Sequence, residues 1–121
     1  MAFTLLNNDK ATPATSINDI EVGENFINVK EYFCFYVRAD SNATAVTADI
    51  STESISISFK VGKGLSGLNG TEGSDPTGVT FSSSAVLGDM GINDTQAIWV
   101  EREVTDNMFC SGQKGFTLEI N

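Results

Sequence analysis

The run Ser54-Ile55-Ser56-Ile57-Ser58-Phe59-Lys60-Val61 alternates polar and apolar residues without a break. A period of two puts Ile55, Ile57, Phe59 and Val61 on one face of a β-strand and leaves the other face wet. The same alternation closes the chain, with Phe116, Leu118 and Ile120 on one side and Thr117 and Glu119 on the other. No segment holds a helical period for more than two turns. Isoleucine, valine and threonine make up a quarter of the residues, and such stiff, branched side chains suit a pleated surface better than a helix.

Further strands are expected at Ala97 to Val104, with Ile98, Val100 and Val104 on one face, Trp99, Glu101 and Glu103 on the other, and Arg102 on the apolar side. Weaker strand patterns lie at Phe3 to Leu6, Ile17 to Val22, Thr44 to Ile50 and Val79 to Phe81. Tyr32-Phe33-Cys34-Phe35-Tyr36-Val37 differs from all of these because both of its faces are apolar. Such a strand is either covered on both sides within the domain or packed on a neighbouring subunit. About eight short strands in one chain imply an all-β protein, a single antiparallel β-sandwich or jelly-roll-like barrel. Its core is expected to hold Phe33, Phe35, Val37, Ile55, Ile57, Phe59, Ile98, Val100, Phe116 and Leu118.

With 121 residues, 40% of them hydrophobic, the chain is long enough for one ordinary domain, and at that size about two-thirds of the unfolded surface can be buried. Residues 62–78 hold six of the eleven glycines and one of the two prolines. This is the pattern of a long flexible loop. Residues 7–16 are polar and aperiodic, so residues 1–16 read as an N-terminal arm that folding can spare, and residues 17–121 as the sandwich.

Composition excludes several chemistries. No histidine is present, so Ser-His and Cys-His catalysis and the usual zinc sites are ruled out. A net charge of −9 opposes nucleic acid and anionic lipid as partners. The first ten residues lack the basic and apolar runs of an export signal, which favours Cys34 and Cys110 as buried reduced thiols over a disulfide. Oxygen ligands for a cation could come from Asn69, Glu72 and Asp75 or from Asp89, Asn93 and Asp94, but neither set has the spacing of a calcium loop, and no cofactor is expected. The three Asn-X-Ser/Thr matches at Asn42, Asn69 and Asn93 are about what chance supplies. Trp99 reads either as an aromatic binding platform or as a cap on one end of the core.

Three segments carry a resemblance: Tyr32 to Arg38 with its polar turn Ala39 to Thr44, Ala97 to Thr105, and Gly115 to Ile120. In layout the chain resembles the small β-sandwich proteins that tailed bacteriophages place on their virions. The resemblance implies a non-enzymatic structural protein that decorates or cements the capsid shell, or an accessory subunit of the neck or tail. It further implies assembly in the bacterial cytoplasm, the major capsid protein or other virion proteins as partners, and contact between neighbouring copies. The residues expected to make those contacts are Phe3, Leu5 and Leu6, then Leu65 and Leu68 of the glycine-rich loop, and Trp99. The competing reading is a host-encoded carbohydrate- or protein-binding module on the same fold.

Overall fold

A computed structural model describes residues 3–6, 30–52, 57–65, 76, 78–104 and 116–121. Its strands are β1 (Phe3–Leu6), β2 (Lys30–Ala39), β3 (Ala43–Ser51), β4 (Ile57–Lys63), β5 (Ser84–Met90), β6 (Thr95–Val104) and β7 (Thr117–Ile120), and no helix occurs among the described residues. The strands form two antiparallel sheets. One, sheet A, has the order β1-β2-β6-β4, and the other, sheet B, has the order β5-β3-β7. From β2 onward each connection carries the chain from one sheet to the other. The protein is therefore all-β, with two sheets facing each other across a shared core in the manner of a β-sandwich.

Alternation places Phe35, Val37 and Ala39 of β2, Ile57, Phe59 and Val61 of β4, and Ile98 and Val100 of β6 on the inner face of sheet A. Sheet B answers with Val46, Ala48 and Ile50 of β3 and Ala85, Leu87 and Met90 of β5. Of the expected core, Phe33, Phe116 and Leu118 are half-buried against this cluster, and Ile55 lies outside the described residues. The rings of Phe59 and Phe116 lie 5.0 Å apart and join the two sheets.

Arg102 does fall on the inner face, as the alternation of β6 requires. Its side chain is 3% exposed. The register sets Glu31 of β2 and Phe59 of β4 on either side of it, and Arg102 Nε donates to Glu31 Oε1 at 3.0 Å. The guanidinium carbon sits 4.9 Å from the centre of the Phe33 ring. A carboxylate and a ring face thus meet the charge at one end of the core, where a lone buried cation would be costly.

Two expectations are corrected, and the open choice over the Tyr32 to Val37 strand is decided in favour of cover within the domain. Val79 to Phe81 is not a strand; the segment reaches sheet A only through the bridge between Val61 and Ser82, and the strand lies further on, as β5. Residues 3–6 are not part of a free arm. They pair with β2 in register from Phe3 opposite Ala39 to Leu6 opposite Tyr36, so the folded body includes them, while 7–16 lies outside the described residues. The Tyr32 to Val37 strand is central, between β1 and β6, and both its faces are covered within the chain. The Ile17 to Val22 pattern and most of the glycine-rich loop also lie outside the described residues.

Leu6 is 1% exposed, so β1 cannot be removed without opening a cavity. Leu6→Ala is expected to cost about 2–4 kcal/mol in urea unfolding, whereas a dispensable arm would show no change in the midpoint.

Candidate functional site

Three aromatic side chains and a thiol point to the outer face of sheet A. Tyr32, Cys34 and Tyr36 of β2 alternate with the core residues, and the register brings Leu6, Ala97 and Trp99 beside them. All six are buried, with Trp99 2% exposed. The cover includes Val79 and Phe81, and the Phe81 ring lies 5.6 Å from that of Tyr32. Backbone bonds in both directions between Val61 and Ser82, at 2.7 and 3.0 Å, tie this strap to the edge of β4.

Gly62 makes the strap possible. A Cβ at this position would lie 2.5 Å from Val79 Cγ1 and 2.6 Å from the Thr80 carbonyl oxygen, closer than any side chain tolerates. Trp99, directly across from Gly62 in the register, thus forms part of a second small core and is not an open platform. Its Nε1 is buried and finds no hydrogen-bond partner among the described residues, so the indole contributes area and not polar recognition. Cys34 Sγ lies 3.7 Å from the Phe35 carbonyl oxygen, and burial, followed by the neighbouring Cys34, pushes the Tyr36 phenol above its ordinary value. Cys110 lies outside the described residues.

Asp89, Asn93 and Asp94 do come together, lining an open depression with Leu87, Met90, Thr95 and Gln96. The side chains of Asp89, Asp94 and nearby Asn42 brace backbone there. Asp89 Oδ1 accepts the Ala45 N–H at 2.9 Å, holding that residue at a φ of 52° where β3 and β5 shift register. Asp94 Oδ2 accepts the Gly91 N–H at 2.8 Å, and Asn42 Oδ1 accepts the Ile92 N–H at 2.9 Å. Among the described residues no group of three acidic, cysteine or histidine side chains is placed to hold a metal. Asn69, Glu72 and Asp75 are not described.

At the same end, the Thr4 hydroxyl donates to Asp40 Oδ2 at 2.7 Å and Arg38 Nε donates to Asp40 Oδ1 at 3.1 Å. The Thr4 bond, opposed by desolvation and helped by Arg38, holds the Asp40 carboxyl below its usual 3.8. Of the other expected contact residues, Phe3 and Leu5 are half-buried against the main core, Leu6 is buried and Leu65 is 49% exposed. Leu68 is outside the described residues. The described members of the expected set are therefore spread over three regions.

Sheet B presents what composition alone does not reveal. Every described lysine and arginine lies in sheet A: Lys30, Arg38, Lys60, Lys63 and Arg102. The strands of sheet B carry Asp49, Asp89 and Glu119 and no base, and Asp49 and Glu119 stand directly opposite each other. Its outward positions on β3 and β7 are Thr47, Asp49, Ser51, Thr117 and Glu119, and on β5 Val86 stands 70% exposed. Sheet A thus buries apolar side chains on both faces, whereas sheet B shows solvent an acidic, hydroxyl-rich face.

Fold and surface together define an all-β protein of two antiparallel sheets with one open acidic side. No family model and no curated protein matches the chain.

Because Trp99 is the only tryptophan, its fluorescence reports on the strap alone. Gly62→Val should shift its emission to the red and cost about 1–3 kcal/mol through overpacking. An unchanged spectrum and unchanged stability would show that the strap does not rest on Gly62.

Proposed function

We propose that the protein is a non-enzymatic structural component of a tailed-phage virion, assembled in the bacterial cytoplasm, that decorates or cements the capsid shell. The observation that carries this reading is the difference between the two sheets. Sheet A is closed by its own chain on both faces, whereas sheet B keeps one broad face open and free of described bases. An exposed side of one charge suits lying on a larger protein surface, where complementary potential sets register and speeds encounter. The resemblance in layout to small virion sandwich proteins supplies the biological setting. The finer architecture belongs to the same proposal: a strand beyond the seven described, jelly-roll-like closure, and contact with the shell through the glycine-rich segment that follows β4.

Docking of this kind gains from repetition. Many copies act together on a symmetric shell, so modest affinity at each site still gives high occupancy where neighbouring copies touch. The test is to add purified protein to capsids assembled without it and to count bound copies after sedimentation. Saturation at a fixed stoichiometry per capsid protein supports the reading, and occupancy should fall as salt screens the acidic face. Absence of binding to shells, necks and tails alike would reject a virion role and leave the host-encoded binding module as the reading.

A further inference from the structure

We infer that the outer edge of β7 is a docking site for an extended segment of a partner protein, a strand with apolar residues at alternate positions and basic residues between them. This goes beyond the virion reading and stands on the geometry of sheet B alone. Sheet A has four strands and sheet B three, and among the described residues β7 pairs only with β3. Thr47 and Asn121 exchange both backbone hydrogen bonds, at 3.0 and 2.9 Å. In an antiparallel ladder such pairs alternate, so Thr117 and Glu119 also turn their backbone groups toward β3. The N–H and C=O groups of Leu118 and Ile120 then point away, along the open edge.

The same two residues carry the apolar part of the argument. Their side chains face the core yet remain half-buried, as does Phe116 just before them. At the opposite edge of sheet B, the inward residues Ala85, Leu87 and Met90 of β5 are fully buried. The inward apolar side chains are therefore less fully covered at β7 than at β5. Within Thr117–Ile120 the edge has no proline, no lysine and no bulge; its only charged side chain is Glu119. An added strand would bond to the outward groups of Leu118 and Ile120 and lay its own apolar side chains over theirs.

Charge selects the kind of strand. Glu119 stands opposite Asp49, and like charges facing each other across a ladder are unfavourable. Asn121 Nδ2 donates to Asp49 Oδ2 at 2.8 Å, but no described base lies in sheet B. A lysine or arginine on the outward side of the incoming strand falls next to Glu119 and offsets the repulsion. A second copy of this chain does the reverse, setting Glu119 against Glu119 between molecules of charge −9.

The probe is a short peptide of alternating lysine and valine, titrated into the whole protein and followed by backbone amide shifts. Binding should perturb Leu118 and Ile120 most. Glu119→Lys, at an exposed position that leaves the fold intact, should weaken it about tenfold. Methylating the peptide nitrogens on the edge that meets β7 should abolish it. The inference is overturned if the peptide does not bind, if it perturbs another edge, or if a peptide with the lysines and valines in separate blocks binds equally well. Self-association of the protein through β7 in sedimentation would also overturn it, by assigning the edge to a second copy.

Discussion

The pairing of β2 with β6 holds the structure together. These are the two longest strands, matched residue for residue from Lys30 opposite Glu103 to Arg38 opposite Thr95, and each buries apolar side chains on both faces. β1 pairs with β2 and β4 with β6, so sheet A is assembled outward from this pair. Two-sided apolarity then requires two covers. Sheet B supplies one, over Phe35, Val37, Ile98 and Val100, and the strap through Val79 and Phe81 contributes to the other, over Tyr32, Tyr36 and Trp99. The close approach at Gly62 and the burial of Cys34 both follow from the second cover.

The same pair makes the fold non-local. β2 meets β6 across more than fifty residues of chain, and the pairings of β3 with β5 and β7 are also distant. Among the described strands, no two neighbours in a sheet are joined by a tight hairpin. Loop-closure entropy must be met before these contacts form, so slow folding is the physical expectation for this topology.

How much of this was legible depended on where the deciding partner lies. The alternation at 57–61 and 98–102 was readable because one face of each strand is uniformly apolar, and it placed Arg102 inside. The identity of its partner was not readable, since Glu31 reaches Arg102 only through the β2–β6 register. β5 escaped notice because its period breaks. Ala85 and Leu87 point inward, then the register shift near Gly88 moves the next inward side chain to Met90, while exposed Val86 blurs the contrast between the faces. Trp99 could be a platform or a core residue until its cover was known, and that cover comes from Val79 and Phe81, twenty residues away. The acidic side of sheet B was equally hidden, because the net charge of −9 says nothing about which strands share a sheet.

Native-state hydrogen exchange tests the central claim most directly, since it ranks local stability residue by residue. If the doubly covered β2–β6 pair is the foundation, the amides of Cys34, Phe35, Ile98, Trp99 and Val100 will be the slowest in the protein and will exchange only through global unfolding, with β7 and the Val61–Ser82 bridge opening earlier. Equal or greater protection in β3 and β5 would contradict the account and place the foundation in sheet B.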